Sequence, residues 1–142
     1  MARTLPDNLP ADTAIPARRL RQVLALDAVV TSGNGLAYLL AAGPLATFFG
    51  LSEDLLVPMG VFLLAYGVAV GTAAARVHPP RPATLAIIAA NVAWAAASMA
   101  ALLTGALSPT LIGGLWIGAQ AVVVGGFAAA QNWVLRRLPS VS

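Results

Sequence analysis

The chain has no cysteine, no lysine and a single histidine, His78, and only 9% of its 142 residues are charged. Without cysteine there is no disulfide framework, no thiolate nucleophile and no cysteine metal site. One histidine among scattered acids assembles no metal centre from neighbouring positions. No phosphate-binding glycine loop, nucleophile elbow or dinucleotide fingerprint occurs, and serine and histidine are too sparse for a hydrolase triad. Any chemistry is therefore expected to run without a metal or other cofactor. A soluble domain normally has about a quarter of its residues charged, so the shortage of charge excludes an ordinary water-soluble globule.

What fills the chain instead is apolar: 59% of residues are hydrophobic and the mean hydropathy is +0.84. Its Ala, Val, Leu and Gly runs exceed the roughly 20 residues needed to span a hydrocarbon core of about 30 Å. Backbone polar groups must be satisfied within such a segment. The expected fold is therefore all-α, a polytopic membrane protein with four transmembrane helices in one bundle. The pI near 10.7 comes from eight arginines, a balance that in a soluble protein would suggest nucleic acid. Here the arginines fall at helix ends and are read as topology, so membrane lipid is the expected neighbour and nucleic acid is not. The missing lysine and heavy alanine use suggest a GC-rich bacterial genome and hence a bacterial cytoplasmic membrane.

Residues 1–17 hold three prolines and little hydrophobicity, which predicts a disordered N-terminal arm. A cleaved signal peptide is not expected, because the first long apolar run follows Arg18, Arg19 and Arg21 rather than lying near Met1. The transmembrane domain is assigned to residues 18–137, with spans at about 23–42, 56–75, 83–103 and 111–134 and a tail at 138–142. Gly43-Pro44 stops the first span, and an amphipathic stretch with Phe48, Phe49, Glu53 and Asp54 turns at the surface. The proline-rich VHPPRP and the turn GALSPT separate the remaining spans. Every arginine precedes span one, lies between spans two and three, or follows span four. By the positive-inside rule both termini are cytoplasmic.

The halves of the chain also align. Setting Asp27 against Asn91 places Asn34 opposite Ser98, and Gly60, Tyr66 and Gly71 opposite Gly114, Gln120 and Gly125. Two helices per half would make this a parallel repeat about an axis along the membrane normal, with any site at the interface between halves. Chance alignment of Ala- and Gly-rich helices is the competing explanation.

The polar residues inside the spans are not scattered. Asp27, Thr31, Asn34 and Tyr38 are spaced by four, three and four residues, one narrow helical stripe at about 100° per residue. Asn91, Trp94 and Ser98 form a second stripe, Trp116, Gln120, Phe127 and Gln131 a third, and Tyr66 lies near the middle of span two. At a rise of about 1.5 Å per residue, Asn34, Tyr66, Asn91 and Gln120 reach the central zone of the bilayer. Asp27 is shallower, roughly 6 to 9 Å inside the cytoplasmic boundary, at the inner mouth of the pocket these groups would form.

An acid in a membrane helix costs about 2.5 to 3.5 kcal/mol to insert and usually marks a site or a paired charge. The functional reading makes Asp27 an acid/base or a counter-ion, with Thr31, Asn34, Tyr38, Tyr66, Asn91, Ser98 and Gln120 binding a ligand. Trp94 and Trp116 lie too deep for an interfacial belt, so they wall that pocket or fill the core. The structural alternative pairs Asp27 with Arg21 or Arg76 and uses the amides as packing glue between helices. Arg76 and Arg81 around His78 are read as a topological signal with headgroup contact.

At L-D-A-V-V-T-S-G-N-G-L-A-Y-L-L-A-A-G-P-L, residues 26–45, and N-V-A-W, residues 91–94, the chain resembles small four-helix integral membrane proteins common in actinobacteria. The resemblance implies the topology and no particular reaction. In arrangement the chain is also similar to membrane sterol isomerases, whose helical pockets hold acids against a lipophilic substrate, although the paired acids of those enzymes are missing here.

The leading expectation is a pocket among the helices that takes a lipophilic small molecule from the bilayer, with cofactor-independent cyclisation or isomerisation by Asp27 as its chemistry. Two other readings stay open: an accessory or assembly subunit of a larger membrane complex, and a solute or proton transporter formed as a homo-oligomer.

Overall fold

The computed structural model describes residues 11–140 of the chain. Among these residues it is all-helical: α1 Ala11–Leu40, α2 Ala42–Phe49, α3 Glu53–Ala75, α4 Arg81–Leu103 and α5 Leu111–Leu135. α1, α3, α4 and α5 are the four helices long and apolar enough to cross a membrane. α2 is the short surface helix between the first two, burying Ala46 and Phe49 and exposing Phe48.

The helix ends follow local chemistry. Ser52 Oγ accepts from Leu55 N at 3.2 Å to start α3, with Glu53 and Asp54 in its first turn, where acids complement the helix dipole. Pro80 and Pro82 flank the start of α4, positions at which a missing N–H costs nothing. Thr110 Oγ1 accepts from Gly113 N at 3.1 Å to start α5. Gly50, at φ 67°, ends α2 in the left-handed conformation that glycine adopts without strain.

α1 begins at Ala11 rather than near residue 18 or 23, so the later part of the expected N-terminal arm is helical. Residues 1–10 and the last two of the tail lie outside the described residues. Pro16 removes one backbone bond early in α1. Burial offsets this loss: Ala17 is buried, and Leu20 and Leu24 are completely buried against Val70, Ala73, Ala74, Val134 and Leu135.

The four long helices run up and down in chain order. Arg21 meets Ala74, Ser32 meets Gly67 and Tyr38 meets Gly60, so α1 and α3 are antiparallel. They approach closely: a Cβ on Gly35 would lie 2.7 Å from Leu64 N and 2.8 Å from Gly60 O, and one on Gly67 would collide with Ser32 Oγ. Small residues that let backbones approach are a general means of helix association in lipid, where burial of apolar surface gives no drive. α4 pairs with α5, and α1 also runs along α5, whereas the backbones of α3 and α4 stand apart and meet only through long side chains. Arg18, Arg19, Arg21, Arg76, Arg81, Arg136 and Arg137 share one end of the bundle, and Glu53 and Asp54 lie at the other.

Candidate functional site

Asp27 is fully buried near the arginine-bearing end. Its Oδ2 accepts from Asn91 Nδ2 at 2.8 Å and Gln131 Nε2 at 2.7 Å, and its Oδ1 accepts from Thr31 Oγ1 at 3.0 Å. Three helices thus converge on one carboxylate. Neither arginine named as an alternative partner is involved: Arg21 Nε instead donates to Ala74 O at 3.1 Å, closing a free carbonyl at the end of α3. The positions aligned between the two halves, Asp27 and Asn91, are in direct contact across the bundle.

The carboxylate also sets the direction of its neighbours. Both amides turn their NH2 groups toward the carboxyl oxygen Oδ2, which accepts from each. Asn91 Nδ2 lies a further 3.3 Å from Gln131 Oε1, and Asn91 Oδ1 is left to accept from the Tyr66 hydroxyl at 3.1 Å. The same hydroxyl lies 3.2 Å from Ile87 O, so one proton is shared between two acceptors. A chain of fixed orientation therefore runs Asp27, Asn91, Tyr66.

A second polar group forms about 16 Å further along α1, judged from the helical rise. Trp116 Nε1 donates to the Tyr38 hydroxyl at 2.9 Å, and that hydroxyl donates to Gln120 Oε1 at 3.4 Å. Phe49 of α2 stacks on Trp116 with centroids 5.6 Å apart and planes 12° from parallel. Thr110 ties this end together, its N–H donating to Phe49 O at 2.9 Å and its hydroxyl to Phe48 O at 2.8 Å.

Between the two polar groups, where α3 and α4 separate, lies a cavity of about 500 Å³. Thr31, Asn34, Tyr66, Asn91 and Gln120 supply its polar wall, and Phe62, Trp94, Trp116 and small alanines most of the rest. Phe62 stacks on Trp94 across the α3–α4 gap at 5.7 Å and 10°, and on Tyr66 at 6.0 Å and 13°. Asn34 makes no side-chain hydrogen bond among the described residues, and Gln120 Nε2 is buried without a partner.

The residues expected at the site thus divide. Thr31, Asn34, Tyr66, Asn91, Trp94, Trp116 and Gln120 line the central cavity. Asp27 stands behind Asn91 and Thr31 and is not part of that wall. Tyr38 acts from the far end through Trp116 and Gln120. Ser98 bonds its own helix at Trp94 O, 2.8 Å away, and faces a smaller cavity of about 160 Å³ rather than the central one. Two further residues belong to the site: Gln131, which the sequence puts on the stripe of Gln120 but outside the assigned ligand set, and Phe62, which it does not single out. Gln131 holds the carboxylate, and its spacing of eleven from Gln120 already places both on one helical face. Phe62 bridges α3 and α4, and it stands one turn from Tyr66.

In comparisons with known proteins, the chain matches no family model, no curated protein and no solved structure.

Proposed function

We propose that this four-helix integral membrane protein binds a lipophilic small molecule that enters from the bilayer through the gap between α3 and α4. The observation that carries the reading is the cavity of about 500 Å³ in that gap, walled mainly by apolar and aromatic side chains with a few polar groups converging on it. That is the composition of small-molecule sites in general. In this reading Phe62 and Trp94 cover the lateral opening, and the ligand displaces or slides beneath their stack. With the arginine-bearing end cytoplasmic, the polar wall lies in the middle of the bilayer and both termini face the cytoplasm.

Asp27 serves this site as a positioning residue. Its three hydrogen bonds hold Asn91 and, through it, the Tyr66 hydroxyl in one orientation at the cavity wall. Direct acid–base catalysis, the cyclase or isomerase reading, requires that Thr31, Asn91 or Gln131 release the carboxylate toward a substrate. Asp27→Asn separates the two roles: if the carboxylate only positions, the variant retains the same compound as wild type, whereas if it is the acid/base, the variant retains an unconverted precursor in place of the wild-type compound.

Mass spectrometry of small molecules extracted from the purified protein tests the binding reading. Wild type is expected to retain a specific lipophile that is lost in Ala97→Phe, which fills the cavity, and reduced in Asn34→Leu. The same lipid extract from all three proteins would refute it and favour an accessory subunit whose polar residues only join helices.

A further inference from the structure

The polar group at the Tyr38 end has more donors than acceptors. Trp116 supplies one N–H, Tyr38 one O–H and Gln120 two N–H, and the acceptors facing them are the Tyr38 oxygen and Gln120 Oε1. Because indole nitrogen only donates, the Tyr38 oxygen is committed to Trp116 at 2.9 Å, and its own proton goes to Gln120 Oε1 at 3.4 Å. Gln120 Nε2 is then turned away and stays buried and unpaired. Reversing the amide would not remove the surplus: it would leave the Tyr38 proton without an acceptor instead. The opposite holds at the Asp27 end, where the carboxylate is the surplus acceptor and two amides and a hydroxyl satisfy it.

A buried unpaired donor is costly unless something accepts from it. Gln120 lines the central cavity with Phe62, Trp94 and Trp116, whose rings offer flat apolar surfaces, and also the smaller cavity of about 160 Å³; its Nε2 is closed off from both and reaches a ligand oxygen in the central cavity by a turn of the side-chain amide. We infer that the ligand of the central cavity is a carbonyl-bearing lipophile with a planar ring, its oxygen accepting from Gln120 and its ring lying among these aromatic side chains. This inference rests on the binding reading above and adds the chemical class.

The test uses the full chain in lipid nanodiscs and two probes of similar shape, menadione and its carbonyl-free counterpart methylnaphthalene. A quinone has no cysteine or lysine to alkylate in this chain, so a reversible signal is binding. Calorimetric titration should show menadione binding about two- to tenfold more tightly than methylnaphthalene, the worth of one net hydrogen bond. The difference should disappear in Gln120→Leu, and Ala97→Phe should bind neither. In wild type, the side-chain amide resonance of Gln120 should move with menadione and stay fixed with methylnaphthalene, a readout that stands even if Gln120→Leu fails to fold. Equal binding of the two probes with an unmoved amide would overturn the carbonyl assignment and leave the cavity reading intact. Binding of neither probe, or undiminished binding in Ala97→Phe, would overturn both.

Discussion

Replacing Asp27 distinguishes a carboxylate that organises the bundle by geometry from one that matters by charge. In Asp27→Leu, Gln131 Nε2 loses its 2.7 Å acceptor and Asn91 Nδ2 its 2.8 Å one, while Asn91 keeps only the longer 3.3 Å approach to Gln131 Oε1. An unsatisfied buried donor costs about 1 to 3 kcal/mol. In bilayer proteins the separated helices find other partners, and single bonds average nearer 0.6 kcal/mol. Weighing the two, the leucine variant should lose about 2 to 4 kcal/mol. In Asp27→Asn the side-chain oxygen can take both amides, and the new NH2 can donate to Thr31 Oγ1, whose hydroxyl is free to rotate. Every bond is kept in neutral form, so the expected loss is below about 1 kcal/mol. Reversible unfolding in mixed detergent micelles, followed by helical circular dichroism, gives both values. An asparagine variant as unstable as the leucine variant would refute the geometric argument, because charge alone would then account for the loss.

Gly35→Ala should destabilise by about 1 to 3 kcal/mol through overpacking, since its Cβ would press on the α3 backbone at Leu64 N and Gly60 O. Gly33→Ala, with nothing within 4 Å of the added carbon, should be neutral or gain up to about 1 kcal/mol of helix propensity; the same unfolding assay compares them. Thr110→Val removes the cap on Gly113 N and the bond to Phe48 O. It should cost about 1 kcal/mol and speed hydrogen exchange at the Gly113 amide. Phe62→Ala removes the stack that spans α3 and α4 and should raise the dissociation rate of a bound lipophile several-fold while leaving the Asp27 network intact. An unchanged rate would show that the stack does not control access.

The ends of the spans were legible because punctuation and hydropathy coincide there. α3, α4 and α5 begin within a few residues of the expected positions, after Ser52, around Pro80 and Pro82, and at Thr110. The start of α1 was hidden because Pro16 and the surrounding polar residues speak against a helix locally, and it is the packing of Leu20 and Leu24 on α3 and α5 that sustains it. At the site, helical spacing correctly grouped Asp27, Thr31, Asn34 and Tyr38 on one face of α1. It could not tell that the face serves two separate groups, since that depends on which side chains of α4 and α5 arrive at each level. Spacing likewise says nothing of hydrogen-bond direction, which is why the unpaired donor on Gln120 emerges only from the assembled Trp116 and Tyr38 contacts.

The glycine contacts between α1 and α3 have a mechanical consequence. Backbones that touch backbones have no side-chain rotamers to give, so this pair behaves as one stiff double rod, and the compliance of the bundle is left to the α4–α5 pair. Widening at the α3–α4 gap is then easier as a movement of that second pair than as a parting of α1 and α3, and it is opposed by the Tyr66 hydroxyl bonds to Ile87 O and Asn91 Oδ1. The Asp27–Gln131 bond lies in the contact of α1 with α5 at one end and the Tyr38–Trp116 bond at the other. Together they fasten the side of the bundle opposite the gap at two levels.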